Sequence, residues 1–158
     1  MSSQAPRAGD FGPSYLQARI DREIALARHI GVAVERADDH DFVLSAPLEP
    51  NGNHQGTAFG GSLYCVAVLT GWAWAARYLA MRGIDADPVI QESDLRFLAP
   101  VSGELRAHLT MPGGAEIDKF RRMLERAGRG RIRLRVELRQ GPLVAAKFDG
   151  MFAAVLRP

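Results

Sequence analysis

The chain of 158 residues has the length of one domain, long enough to bury a core without metals or disulfides. Its 47% hydrophobic and 24% charged residues argue against collagen, coiled coils and repeat arrays and exclude wholesale disorder. The net charge is only +2, and Cys65 is the single cysteine, so no intramolecular disulfide forms. Because the N-terminal sequence also lacks the layout of a signal peptide, we expect a cytoplasmic protein.

The first predicted elements are a helix and a hairpin. Apolar residues recur every three or four positions over residues 16–30, which predicts an amphipathic helix that ends at Gly31. Residues 32–36 and 42–48 are rich in β-prone side chains and flank a polar turn. They predict two paired strands.

A long apolar segment follows. Residues 56–76 are 21 consecutive uncharged residues, a length that is enough to span a membrane. Several glycines and hydroxyl residues dilute this segment, and Arg77 and Arg82 follow while the helical pattern is still running. These features argue against a membrane span. They predict instead a helix over residues 61–81 that is surrounded by protein on most sides.

The remaining chain alternates between apolar and polar residues. Four strands are predicted, over residues 89–99, 104–111, 131–139 and 143–156. A short helix over residues 117–127 separates the second strand of this group from the third. The order predicts an α+β fold in which a curved antiparallel sheet wraps around the long central helix. Such a sheet leaves an edge exposed, so we expect pairing with a second copy.

The domain organisation is simple. Residues 1–13 are predicted to form a flexible N-terminal tail, and residues 14–158 one continuous domain. No internal repeat is visible in the sequence.

Basic residues are concentrated in one window. Residues 119–139 contain nine arginines or lysines against two glutamates, a net charge of +7, which leaves −5 for the rest of the chain. This window is either a binding surface for an anionic partner or an ordinary solvated face. Because no aromatic residues are interleaved with the arginines, we do not expect nucleic-acid binding.

The loop before the central helix has the sequence PNGNHQGTAFGGSL, residues 50–63. Glycines at the start of a helix let a ligand approach the backbone closely. The free N–H groups there carry about half a positive charge, which stabilises an oxyanion or a phosphate. The other interpretation of Gly60 and Gly61 is close packing between the helix and a strand.

This segment resembles the hotdog-fold thioesterases. Residues 53–61 fit the pattern Asn-x-x-Gly-Thr-x-x-Gly-Gly of that superfamily, and residues 94–105 resemble its third strand and the turn that follows. The longer string over residues 50–63 is closest to the thioesterase domain of the YiiD C-terminal type. The resemblance covers residues 14–157 and implies a hotdog fold. It also implies an acyl thioester of coenzyme A or of an acyl carrier protein as substrate, with a site between the subunits of a homodimer or larger homo-oligomer.

The resemblance also implies roles for individual residues. Asn53 corresponds to the asparagine that binds the thioester or positions water, and Gly60 and Gly61 offer amides to the thioester oxygen. The superfamily usually places an Asp or Glu two turns into the central helix, where this chain has Val68. Hydrolysis therefore needs another base, and the nearest group that titrates near neutral pH is His54.

Further candidates surround this centre. Five residues of the loop and helix are predicted substrate contacts: Gly56, Thr57, Phe59, Ser62 and Thr70. Asp94 of a neighbouring subunit is a possible source of the missing carboxylate, and Arg121 and Arg122 are expected to contact the phosphates of coenzyme A. Cys65 with His54 would form a nucleophilic pair, although a lone cysteine in an apolar helix is more often an inert core residue.

The sequence thus predicts hydrolysis of a thioester by activated water. The alternative is a non-catalytic module that binds acyl thioesters, and Val68 is the residue that favours it. We expect neither a metal nor a cofactor, since no cysteines and histidines have zinc-site spacing and no Walker motif is present.

Overall fold

The computed structural model describes residues 8–158. The helix predicted over residues 16–30 is divided at Ile24 into α1 (Pro13–Glu23) and α2 (Ala25–Ile30). It ends as predicted at Gly31, whose φ of 72° is the left-handed conformation that glycine adopts without strain.

Packing contacts begin before residue 14. A 3-10 turn (Ala8–Phe11) precedes α1, and the Phe11 carbonyl accepts a hydrogen bond of 3.0 Å from Nε of Arg77. The Phe11 ring also meets the ring of Tyr15 edge-on at 5.0 Å. Residues 1–7 of the predicted tail lie outside the described residues.

Six strands form one antiparallel sheet. They are β1 (Ala33–Ala37), β2 (Phe42–Ala46), β3 (Ala86–Phe97), β4 (Leu105–Thr110), β5 (Arg129–Gln140) and β6 (Leu143–Leu156). Their order in the sheet is β1-β2-β4-β5-β6-β3. A one-turn helix, α3 (Leu48–Asn51), follows β2. The long helix α4 (Gly60–Met81) packs against the inner face of the curved sheet, which confirms the predicted fold.

The predicted alternation of β5 is also confirmed. Its even-numbered residues from Gly130 to Leu138 are buried against the interior, and its arginines lie on the outer face. The helix α4 is apolar almost all round and is buried at most positions, as a helix surrounded by protein must be. Within residues 8–158, no helix combines the length and hydropathy that crossing a membrane requires.

The last helix, α5 (Gly114–Ala127), lies beside the first half of β5. Because β4 pairs with β5 only over residues 135–138, the earlier part of β5 has no neighbouring strand on that side. Phe120 and Leu124 of α5 are buried there against Gly130. The Phe120 ring lies 5.6 Å from that of Tyr78, which places α5 next to the C-terminal half of α4.

A close contact joins α4 to the sheet. A Cβ atom added to Gly71 would lie 2.5 Å from Cζ of Phe152, whose side chain is only 1% exposed. The glycine therefore accommodates this aromatic ring, and the core has no room for a methyl group at this position.

We predict that Gly71→Ala destabilises the protein by up to about 2 kcal/mol. Alanine is favoured over glycine in a helix by about 1 kcal/mol, but overpacking a rigid core costs about 1–3 kcal/mol. Urea denaturation measures the difference. The matched control is Gly114→Ala at the start of α5, where nothing lies within 4 Å of the added Cβ. The packing explanation is wrong if both variants are at least as stable as the parent chain.

Candidate functional site

A tight turn formed by residues 53–57 leads toward α4. The Asn53 amide donates to the Thr57 carbonyl at 2.7 Å, and the Gly56 amide donates to the Asn53 carbonyl at 3.1 Å. The φ of Gly56 is 75°, so a residue with a side chain would be strained at this point of the turn. His54 and Gln55 are exposed at the tip.

The side chain of Asn53 is used within this turn. Its Oδ1 accepts hydrogen bonds from the Gln55 amide at 2.9 Å and from the Thr57 amide at 3.1 Å. Its Nδ2 donates to Oγ1 of Thr57 at 2.9 Å. Asn53 and Thr57 therefore stabilise the turn that carries His54, and both polar atoms of the Asn53 carboxamide are engaged within that turn.

The ends of the loop are fixed by Asn51, a residue to which the sequence assigned no role. Its side chain is only 2% exposed, and its Nδ2 donates to the carbonyls of Ile30 and Pro47, both at 2.8 Å. The Asn51 carbonyl accepts from the Phe59 amide at 2.8 Å. Asn51 thus holds the residue that directly precedes α4.

Two free backbone amides lie at the start of α4. The amides of Ser62 and Leu63 donate to the Phe59 carbonyl at 3.0 and 3.1 Å. The amides of Gly60 and Gly61, which we call the amide pair, have no hydrogen-bond partner among residues 8–158. Because α4 is 22 residues long, its dipole adds positive potential at the amide pair.

Aromatic rings surround the amide pair. A Cβ on Gly60 would lie 3.2 Å from Cζ of Phe97, and one on Gly61 would lie 2.6 Å from Cε1 of Phe59. Each of these phenylalanines is 58% exposed. The amide pair is thus bordered by an open apolar rim, which suits a carbonyl group attached to an alkyl or aryl chain.

A β-bulge decides which residues of β3 face the amide pair. The pairing of β3 with β6 shifts by one residue between Ile90 and Glu92. Before this shift even-numbered residues face α4, and after it odd-numbered residues do. Phe97 consequently reaches Gly60, whereas Asp94 lies on the outer face beside Asp149. Within one chain the bulge turns the Asp94 carboxylate to the side of the sheet opposite the amide pair, and its contribution from a neighbouring subunit stays a prediction.

The same register places a pair of hydroxyl groups on the inner face. The Tyr64 hydroxyl lies 2.7 Å from Oγ of Ser93, one turn into α4. Tyr64 is 38% exposed, and Ser93 is exposed at the sheet edge. The sequence analysis did not identify Ser93, since a bulge cannot be recognised from the alternation alone.

The other candidate site residues on α4 are hydrogen-bonded to the helix backbone, apolar or partly buried. The Thr70 hydroxyl is buried and donates to the Val66 carbonyl at 2.7 Å, so it cannot orient a water molecule. Ser62 is half-buried in the first turn, and Val68 is half-buried two turns beyond Gly61. Burial raises the pKa of the Cys65 thiol, which disfavours the thiolate that a nucleophile requires.

The predicted phosphate-binding arginines lie elsewhere in the chain. Arg121 on α5 pairs with Glu125 at 2.8 Å, and Arg122 is exposed on the same helix. This helix contacts α4 at Tyr78, which is about 26 Å from Gly61 at 1.5 Å per helical residue. Within one chain, therefore, Arg121 and Arg122 are not brought to the amide pair. No group of three or more metal-ligating side chains occurs within residues 8–158.

Comparisons with known proteins agree with this geometry. A family model described as "Putative thioesterase (yiiD_Cterm)" matches residues 13–156. A protein of unknown function from Chlorobaculum tepidum has a TM-score of 0.87 and 29% identity, with 93% of this chain and 98% of that chain covered. A "putative thioesterase" from Shewanella oneidensis has a TM-score of 0.81 and 27% identity, with 90% and 96% covered.

A more distant structure has the same fold. It is a protein of unknown function from Pseudomonas aeruginosa, described as a "probable thioesterase", with a TM-score of 0.74 and 22% identity. It covers 92% of this chain and 97% of its own. Because the family model spans nearly the whole chain, the chain belongs to the YiiD C-terminal family of putative thioesterases, which has the hotdog fold.

Proposed function

We propose that the chain hydrolyses acyl thioesters of coenzyme A or of an acyl carrier protein at the start of α4. The observation that carries this proposal is the amide pair, two unpartnered N–H donors at the positive end of a long helix. A thioester carbonyl oxygen gains negative charge as water attacks, and preorganised amides stabilise that charge. The rim of Phe59 and Phe97 receives the acyl chain.

The general base in this mechanism is His54. A water molecule attacks the carbonyl carbon and transfers a proton to the imidazole, which gives a tetrahedral intermediate held by the amide pair. The C–S bond then breaks, and the proton passes to the departing sulfur. The products are a carboxylic acid and a free thiol. Asn53 contributes as a positioning residue, because its side chain holds the turn that carries His54.

A homodimer would complete the site. The sheet order leaves β3 as an edge strand of twelve residues without a neighbour on one side. Four large apolar residues are exposed near one end of this edge: Phe59, Tyr64, Phe97 and Leu98. An unpaired edge next to exposed apolar residues favours a two-fold contact with a second copy.

The dimer would also supply the basic residues. In an antiparallel pairing centred on the middle of β3, the start of one strand lies opposite the end of the other. The α5 helix of the second copy then approaches the amide pair of the first, and Arg121 and Arg122 become available for the phosphates of coenzyme A. The free thiol of Cys65 suits the reducing cytoplasm in which such a substrate would be met.

One observation favours a second candidate function. The helix α4 carries no aspartate or glutamate, and Val68 stands where related thioesterases place one. A module that binds acyl thioesters without cleaving them would keep the amide pair and the aromatic rim. Binding of an acyl thioester with no release of thiol would identify this alternative.

The first prediction concerns assembly. Light scattering at micromolar concentration should give twice the mass of the chain, because pairing at β3 satisfies its edge and covers the apolar residues beside it. A stable and active monomer under these conditions would contradict the shared site.

The second prediction concerns the base. His54→Ala should lower turnover of an acyl-CoA by about 100- to 10,000-fold, the usual loss for a general base. Thiol release across a panel of acyl-CoAs measures this effect. Gln55→Ala is the matched control, since Gln55 is the exposed neighbour in the same turn. If His54→Ala keeps nearly the full rate while the parent chain cleaves thioesters, His54 is not the base.

Asn53 provides a companion test of the turn. Asn53→Ala should also impair turnover, because the amides of Gln55 and Thr57 lose their acceptor. Asn53→Asp keeps that acceptor and should recover part of the rate. Equal rates for the two variants would mean that the turn does not position His54.

The third prediction concerns coenzyme A. Replacing Arg121, Arg122 and Arg126 by glutamine should weaken its binding at least about tenfold and reduce the effect of salt, because charge-assisted contacts to phosphate are lost. Calorimetry at two salt concentrations measures both changes. The control for net charge is the triple replacement of Arg22, Arg28 and Arg36 by glutamine, on α1, α2 and β1. Unchanged affinity in the triple variant would make these arginines a solvated surface.

A further inference from the structure

The outer face of the sheet carries a trench beside α5. Two adjoining cavities of ≈ 490 and ≈ 340 Å³ share Met123 and Arg131 among their lining residues. On α5 the trench extends from Ala127 to Glu116, a rise of about 16 Å at 1.5 Å per residue. It lies on the face of the sheet opposite to the amide pair, so it is separate from the proposed thioester site.

The floor of the trench is apolar. Met123 and Ala127 contribute from α5, and Met151, Ala153 and Val155 contribute from β6. Charged side chains border this floor in the second cavity, namely Glu116, Lys119 and Arg133. Val155 is 56% exposed, and Ala127 is also exposed. An apolar surface of this kind on the outer face contrasts with the charged residues that cover the rest of β5.

The arginines of β5 divide into two groups. Arg133 lies 2.7 Å from Asp149 and 3.8 Å from Glu92, Arg135 lies 3.2 Å from Asp149, and Arg139 pairs with Glu137. Arg129 and Arg131, which border the trench, have no ion pair or hydrogen-bonded carboxylate within the described part of the chain. The positive charge is therefore balanced along most of β5 and unbalanced at the trench.

The register of the sheet explains this difference. Across the β5–β6 pairing, Arg135 faces Asp149, whereas Arg131 faces Ala153 and Arg129 faces Val155. Each unpaired guanidinium thus lies beside an apolar side chain of the neighbouring strand. A ligand that matches both features must be anionic at one point and apolar along the rest of its length.

We propose that this trench binds a single-chain carboxylate, such as a medium- or long-chain fatty acid. The guanidinium groups of Arg129 and Arg131 hold the carboxylate, for which their planar donor geometry is suited. The alkyl chain lies along Met123 and reaches Met151 in the second cavity. Binding here does not require the chain to hydrolyse thioesters, so the site stands or falls independently of the proposed activity.

The test uses dodecanoate, below its micelle concentration, with the full chain. Calorimetry should detect saturable binding, and Arg129→Gln with Arg131→Gln should weaken it at least tenfold. Arg135→Gln with Arg139→Gln is the matched control, because it removes two arginines from the same strand and neither of them lines the trench. No binding to the parent chain, or equal loss in the control variant, would overturn the proposal.

The length of the fatty acid tests whether its alkyl chain contacts the apolar floor of the trench. Each buried methylene should tighten binding by up to about three- to fourfold, so dodecanoate should bind at least tenfold more tightly than octanoate. Equal affinity for the two acids would mean a simple anion site. Displacement of dodecanoate by coenzyme A without an acyl chain, at similar concentration, would reassign the trench to phosphate.

A blocking variant tests the location. Ala127→Trp should fill the trench and abolish dodecanoate binding, whereas Ala115→Trp, at an exposed position of α5 outside the trench, should leave it unchanged. Matching thermal unfolding curves establish that both variants fold. If Ala127→Trp instead changes the mass measured by light scattering and not the affinity for dodecanoate, the trench is a contact between copies and the proposal is wrong.

Discussion

The burial of α4 is the constraint on which the rest of the structure depends. No charged residue occurs between Gly60 and Ala76, so most of this helix is stable only when apolar side chains cover it. The inner face of the sheet is consequently apolar, and the contact between Gly71 and Phe152 shows how closely the two surfaces approach. Charged side chains are left to the outer face. The free backbone amides of α4 lie at its N-terminus, where they cannot be satisfied within the helix.

Much of this fold could be predicted from periodicity, and the main failure has a local cause. The alternation of β5 and the apolar run of α4 correctly gave a sheet around a helix. In β3 the one-residue shift after Ile90 reverses which side chains face inward, and a bulge of this kind leaves no mark on an alternating pattern. The alternation therefore does not reveal that Ser93 faces inward, beside Tyr64.

Individual roles were harder to predict because they depend on contacts that local sequence does not specify. The family resemblance implied that Asn53 contacts the substrate. In the structure its Oδ1 accepts hydrogen bonds from the backbone amides of residues 55 and 57, as in many Asx turns. For the arginine-rich window, the sequence could not decide between a binding surface and a solvated face. Which arginine is paired depends on the residue opposite it on β6, and only the register supplies that information.

The absence of a carboxylate from α4 agrees with the same constraint. At the position of Val68, a carboxylate would stand on a half-buried helix surface, and the nearest charged residue of α4 is Arg77, nine positions away and already paired with Asp39. An unpaired charge in apolar surroundings is costly. The imidazole of His54 stands instead at the exposed tip of the turn, outside the apolar surroundings of α4. The helix dipole then stabilises charge on the substrate while the loop exchanges the proton. When the helix stabilises the charge and the loop accepts the proton, hydrolysis requires only that His54 and the amide pair reach the same thioester carbonyl.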